Sequence, residues 1–317
     1  MKITVIGAGR WGSFIAYYLN SIGHTVTLYG PADTPDMLRF AKEKTNGIIT
    51  VPDSLTLSND LASSIKADAV VISINSQGLR SLLGEIKAVG EKYPPFILCM
   101  KGIEISTGKR LTQVVSDCLP GAKSAVWIGP GHPQEFVKGV PNCMIIDSED
   151  ETFKNMLVES FSSPLIRFYY GCDLIGNEIG AATKNVIGIA AGMLDGLGLS
   201  SLKGALMSRG TREVARLIKA MGGNELSAYG LCHLGDYEAT VFSEFSHNRK
   251  FGESFILGES YTSLAEGYYT AAAVKKLAEK YEVDMPICFA VYSALYNKVD
   301  PKEALALLFS RSLKQEL

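Results

Sequence analysis

The stretch "ITVIGAGRWGSFIAYYL", residues 3–19, decides the fold. An apolar, β-branched run ends at Gly7, and from Arg10 onward apolar side chains recur at helical spacing, so the stretch reads as strand, tight turn and helix. Gly7, Gly9 and Gly12 stand at that turn in G-x-G-x-x-G spacing. The first glycine makes the turn, the second lets backbone approach a pyrophosphate, and the third lets the helix pack closely on the strand. The helix N-terminus adds N–H groups that suit phosphate, with Arg10 and Trp11 beside them. Spacing alone would be weak; the flanking strand and helix make a dinucleotide site a better reading than a structural turn.

Outward from this loop, "HTVTLYG", "DAVVISI", "FILCMK", "SAVWIG" and "NCMIID" read as further strands, alternating with helical spacing over 11–21, 77–92 and 108–118. That alternation predicts a doubly wound, mostly parallel sheet, a Rossmann domain over 1–173. After "CDLIG" strand-like runs nearly vanish, so residues 174–317 read as an all-α domain. Its last helix starts at Asp300-Pro301, a cap followed by a first-turn proline. The second strand ends in "TLYGPADTPD" with no acid or arginine at its tip, leaving NAD and NADP both open; Asp33 is the carboxylate expected to reach a ribose.

The chain has 317 residues, 47% hydrophobic, with 31 Lys plus Arg against 33 Asp plus Glu. That near balance favours neither nucleic acid nor an acidic membrane surface. No apolar run reaches the roughly 18 residues that a membrane span needs, and the N-terminus runs into a glycine turn rather than a signal cleavage site, so a cytoplasmic location is expected. Six cysteines without a CxxC pair imply reduced thiols and no metal.

"NEIGAATKNVIGIAAGMLDGLGLS", residues 177–200, sets Lys184 on a helix face with Asn177, Gly180, Ala181, Ile187, Gly188 and Ala191. An ammonium on so smooth a wall either snorkels to water or has a chemical task.

With "MKGIEISTGKRLTQVV", "GAATKNVIGIAAGMLDGLG", "SRGTREVARLIKAMGG", "LGDYEAT", "SHNRKFG" and "AEGYYTAAAVKKLAEKYEVDMPI" in order behind the glycine loop, nearly the whole chain resembles the bacterial type of NAD(P)-dependent glycerol-3-phosphate dehydrogenase. The resemblance implies reversible reduction of dihydroxyacetone phosphate to sn-glycerol 3-phosphate, a glycerophospholipid precursor. It makes Lys184 the acid/base, Asn185 its substrate-binding neighbour and Lys101 a second active-site lysine. Asp236 would hold Lys184 or a substrate hydroxyl, with Thr240 four residues on. Ser246, His247 and Asn248 fall on the phosphate motif, Gly129, Gly131 and Pro133 on a loop lining substrate and cofactor, and Glu266 on a cofactor contact. The small residues around Lys184 would then be clearance for substrate and nicotinamide.

The match departs at His247, where the family usually has an arginine that forks onto the phosphate, and Arg249 is the candidate replacement. "GPGHPQE", residues 129–135, is also rebuilt. Two alternatives follow: a related dehydrogenase acting on another 2-keto or hydroxy substrate, and a dinucleotide-binding regulator without catalysis. An apolar helical face would support a homodimer.

Overall fold

The computed structural model describes residues 1–90, 92–313 and 315, so position 91 of the helix expected over 77–92 lies outside the described residues. The chain forms two compact units, Met1–Lys101 with Lys109–Leu174, and Gly102–Gly108 with Ile175–Leu317.

In the first unit the order is β1 (Lys2–Ile6), α1 (Arg10–Ser21), β2 (Thr25–Tyr29), α2 (Pro35–Glu43), β3 (Thr56–Ser58), α3 (Leu61–Ser64), β4 (Ala69–Ile72) and α4 (Leu79–Val89). There follow β5 (Phe96–Leu98), α5 (Leu111–Cys118), β6 (Ser124–Ile128), α6 (Pro133–Val137), β7 (Asn142–Ser148), α7 (Glu151–Phe161) and β8 (Ile166–Tyr170). Among the described residues these make one sheet of eight strands, ordered β3-β2-β1-β4-β5-β6-β7-β8. Neighbours run parallel except β6 and β7, which are antiparallel. β4 and β5 are buried at every position, as strands covered on both faces must be.

β3 and β8 are additions to the strands expected from sequence. β3 spans too few residues to show a period, and β8 is an edge strand exposing Arg167, Tyr169 and Tyr170. The helices α2 and α7 were also not expected, although both carry start signals: Pro35 opens α2, and the Asp150 carboxylate caps α7 by accepting from Phe153 N at 2.8 Å.

Strand order reverses beside β1, and ligands of open α/β sheets lie beyond the strand ends at such a point. Gly7 follows β1 there with φ +109°, and a β-carbon on it would stand 2.2 Å from Ser73 O, just past β4. Lys101 and Gly129 follow β5 and β6 on the same side of the sheet.

The second unit holds α8 (Leu174–Gly196), α9 (Lys203–Ala220), α10 (His247–Leu257), α11 (Glu266–Lys280), α12 (Pro286–Tyr296) and α13 (Pro301–Phe309). α8 is its centre, buried without a break from Gly176 to Leu194. The Gly102–Gly108 segment packs here too: Ile103 is in the helical core, and Lys276 Nζ donates to Ile105 O at 2.9 Å. No shift in composition marks that excursion in the sequence.

The small residues of α8 prove to be clearance for the chain itself. A β-carbon on Gly180 would stand 2.8 Å from Cys232 Sγ, and one on Gly188 2.7 Å from the Thr240 methyl. On Gly192 it would stand 1.8 Å from Arg249 O, while one on Gly252 of α10 would stand 2.1 Å from Ile189 O. α8 and α10 therefore meet backbone to backbone. The expectation that the small residues around Lys184 make room for substrate and nicotinamide is corrected at these glycines: the space beside them is filled by the loop that carries Asp236 and Thr240 and by α10.

Candidate active site

Lys184 does not snorkel. It is 6% exposed, and its Nζ lies 2.7 Å from Asp236 Oδ2 and 2.7 Å from Thr240 Oγ1. The Thr240 hydroxyl donates to Asp236 O at 2.7 Å, which turns its lone pairs towards the ammonium. Asp236 ends a 3₁₀ turn, Leu234–Asp236, and Thr240 lies in the π-helical turn Glu238–Phe242 that follows. Both side chains are 1% exposed, so the ion pair is dry and survives only because its geometry and hydrogen bonds compensate for the lost water.

Beside it runs an amide relay. Asn248 Oδ1 accepts from Gly267 N at 2.8 Å, so its amide nitrogen faces Asn185 Oδ1, 3.0 Å away. Glu266 opens α11 next to this contact. Ser246 caps α10, accepting from Arg249 N at 3.3 Å, and His247 Nδ1 hydrogen bonds the Tyr261 hydroxyl at 2.5 Å.

Arg249 sits in a different cluster: its Nη1 lies 2.7 Å from Asp195 Oδ2 and 3.2 Å from Glu253 Oε2. Lys203 Nζ shares Asp195 at 2.7 Å and donates to Val241 O at 3.1 Å. Burial alone would raise the Asp195 carboxyl, but hydrogen bonds from Lys203, Ser200 and Arg249 outweigh it and hold the group below its ordinary range. Arg249 is thus committed to Asp195, which ties α10 to α8, and to Glu253 of its own helix, while Ser246, His247 and Asn248 of the expected phosphate motif stand at the start of α10.

In the first unit the glycine loop has the form its sequence implied. A β-carbon on Gly12 would stand 1.9 Å from Gly7 O, so that glycine is required by the chain's own packing. Gly9, the N-cap of α1, has φ −66° and nothing nearer than Asp36 Oδ2 at 3.9 Å. Packing does not demand a glycine there; an approaching pyrophosphate does, and this open backbone ahead of a helix N-terminus fits one. Asp33, expected to reach the ribose, lies exposed in the preceding turn, and the carboxylate near the loop is Asp36 in the first turn of α2, which the sequence reading missed.

Arg10 begins α1, and Trp11 packs edge-on against Phe14 and Phe136, tying the loop to α6. Gly129 and Gly131 have φ +141° and +127°, and a β-carbon on Gly131 would stand 2.5 Å from the Phe136 ring. Pro133 is the buried first residue of α6, and Lys101 Nζ donates to Gly129 O at 2.7 Å. Gly9→Ala is expected to fold, costing about 1 kcal/mol or less as a poorer cap, and to weaken NADH at least about tenfold, about 1.4 kcal/mol. Gly12→Ala is expected to lower the melting temperature severely. Titration of NADH fluorescence and thermal denaturation check the pair; equal NADH affinity in wild type and Gly9→Ala would remove the pyrophosphate assignment.

One further buried group was also missed. His233, wholly buried, directs Nδ1 to Gly180 O at 2.9 Å and Nε2 to the Tyr237 hydroxyl at 2.7 Å. Burial lowers its pKa to about 4, against a hydrogen bond to Gly180 that raises it. A histidine with a lowered folded-state value takes up its proton first in the unfolded chain, so its stabilising effect holds above pH 6.5 and is lost as pH falls towards 4. His233→Asn is expected to shrink the stability difference between pH 7 and pH 4 by on the order of 3 kcal/mol. Urea unfolding at the two pH values measures it.

The family model described as "NAD-dependent glycerol-3-phosphate dehydrogenase N-terminus" matches residues 2–154, and its C-terminus counterpart matches residues 173–306. Glycerol-3-phosphate dehydrogenase [NAD(P)+] of Chlorobium phaeobacteroides is 34% identical, with 100% of this chain and 99% of that protein aligned. The Brucella ovis enzyme of the same name is 36% identical, with 99% of each aligned. The crystal structure of glycerol-3-phosphate dehydrogenase from Coxiella burnetii superposes with a TM-score of 0.91 at 29% identity, over 98% of this chain and 99% of that one. D-mandelate dehydrogenase, at 15% identity and a TM-score of 0.65, shares the fold.

Proposed function

This chain belongs to the NAD-dependent glycerol-3-phosphate dehydrogenase family, and we propose on that footing that it reduces dihydroxyacetone phosphate reversibly to sn-glycerol 3-phosphate. The observation that carries the reading is the dry Lys184 ammonium held at 2.7 Å by both Asp236 and Thr240. NAD(P)H, when bound at the glycine loop, supplies the hydride taken by carbon 2. Lys184 gives its proton to the carbonyl oxygen as the C=O π pair becomes the new O–H bond, and in the oxidative direction takes it back. Asp236 stabilises the ammonium before transfer and orients it throughout.

Asn185, locked by Asn248, holds substrate beside Lys184, and Lys101 serves as the second lysine. Ser246, His247 and Asn248 take the phosphate at the first turn of α10, while Arg249 contributes by anchoring that helix. Gly129, Gly131 and Pro133 line the substrate and cofactor, and Glu266 contacts the cofactor.

The histidine at 247 also motivates a second reading, a dehydrogenase of an unphosphorylated 2-keto compound. One assay separates the two: NADH and NADPH oxidation with dihydroxyacetone phosphate and, in parallel, with dihydroxyacetone. Turnover with the phosphorylated substrate is expected; turnover only with the unphosphorylated one would replace the reading.

A homodimer and a cytoplasmic location belong to the same proposal. Support for the first is the exposure of Leu307 (65%) and Phe309 (71%) on α13, and for the second the lack, among the described residues, of any helix long and apolar enough to cross a membrane. Sedimentation at the 34.2 kDa mass of a single chain would remove the dimer.

A further inference from the structure

Gly180 stands one helical turn before Lys184, so in regular α-helix geometry its carbonyl accepts the Lys184 backbone N–H. The same oxygen accepts a second hydrogen bond, from His233 Nδ1 at 2.9 Å. That contact requires a glycine, because a β-carbon at position 180 would stand 3.2 Å from the His233 β-carbon as well as 2.8 Å from Cys232 Sγ. The loop before Asp236 is therefore fastened to α8 at the turn that leads into Lys184.

The fastening continues to Asp236. Asp236 N donates to His233 O at 3.0 Å, and the next residue, Tyr237, reaches back so that its hydroxyl meets His233 Nε2 at 2.7 Å. The two rings stand edge to face, 4.9 Å apart. A carbonyl only accepts, so Nδ1 carries the imidazole proton, Nε2 is the acceptor, and the tyrosine hydroxyl donates to it. Both groups are fully buried, and burial keeps the histidine uncharged and pushes the phenol well above its ordinary value. The clamp thus adds no charge beside the Lys184–Asp236 pair.

We propose that His233, closed from behind by Tyr237, is a positioning residue of the reduction: it pins the loop carrying Asp236 to the helix turn carrying Lys184, and so sets carboxylate on ammonium. The proposal rests on Lys184 being the proton donor. It differs from a packing role because it acts on the ionisation and aim of Lys184, which a mere core contact would leave alone.

The test is steady-state kinetics of the intact enzyme with dihydroxyacetone phosphate and NADH across pH, for His233→Ala, His233→Asn and Tyr237→Phe. A misplaced proton donor costs up to about 10²-fold, so His233→Ala is expected to lose about that much in kcat, with KM and NADH affinity changing less than about threefold. Its alkaline limb of kcat/KM moves to lower pH, since an ammonium without its carboxylate gives up its proton more readily. Asparagine keeps an N–H donor for Gly180 O and is expected to restore kcat to within about tenfold of wild type; Tyr237→Phe falls between.

A fall in kcat with an unmoved alkaline limb, or no fall at all, overturns the proposal. If His233→Ala does not fold, the other two variants decide by the same two readouts. Turnover retained by Lys184→Ala would instead remove the assignment on which the proposal rests, so the two failures are distinguishable.

Discussion

Replacing Lys184 by alanine is expected to lower kcat for dihydroxyacetone phosphate reduction by about 10³-fold, within the range that a positioned general acid contributes. Binding of NADH at the glycine loop is expected to persist. The substitution also leaves Asp236, 1% exposed, without the charge 2.7 Å away, and an orphaned buried carboxylate costs about 3–5 kcal/mol. Adding Asp236→Asn to Lys184→Ala is therefore expected to recover most of that stability and none of the activity. Stopped assays with the phosphorylated substrate, combined with urea unfolding, measure both quantities. Turnover within tenfold of wild type in Lys184→Ala would show that the proton comes from another group.

The second large effect lies away from any reacting atom. Gly192→Ala is expected to destabilise the protein by at least about 3 kcal/mol, lowering the melting temperature by roughly 10 °C, because an added methyl group meets backbone that cannot yield. Its β-carbon would stand 1.8 Å from Arg249 O and 2.8 Å from Glu253 N. Displacing α10 also moves Ser246, His247 and Asn248 together, so KM for the phosphorylated substrate is expected to rise alongside. Gly84→Ala is the control: that glycine lies inside α4 with nothing within 4 Å, and alanine there is expected to stabilise by about 0.5–1 kcal/mol. Equal melting temperatures for the two variants would mean that α8 and α10 are not in backbone contact.

Much of the fold was legible because its signals are local. The glycine loop announces strand, turn and helix within residues 3–19, and the core strands read as unbroken apolar runs since a parallel sheet is buried on both faces. β3 and β8 escaped notice for the converse reason: one is too short to show a period and the other is a half-exposed edge. α10 hid inside "SHNRKFGESFIL", whose basic start reads equally well as a surface turn.

At the site, the sequence by itself determined the chemical inventory: a lysine on a smooth helix, an Asp-Thr pair four residues apart, an asparagine within a short basic run and a glycine at the phosphate loop. Only the tertiary structure decided who meets whom. It gave Lys184 to Asp236 and Thr240, withdrew Arg249 to Asp195, brought His233 onto Gly180, and filled with protein the space that small residues had reserved. The physical reason is that helical periodicity states which face a side chain occupies, whereas the partner of a buried charge comes from a segment tens of residues away. That partner is selected by packing and by the cost of leaving charge unpaired, neither of which is written in local spacing.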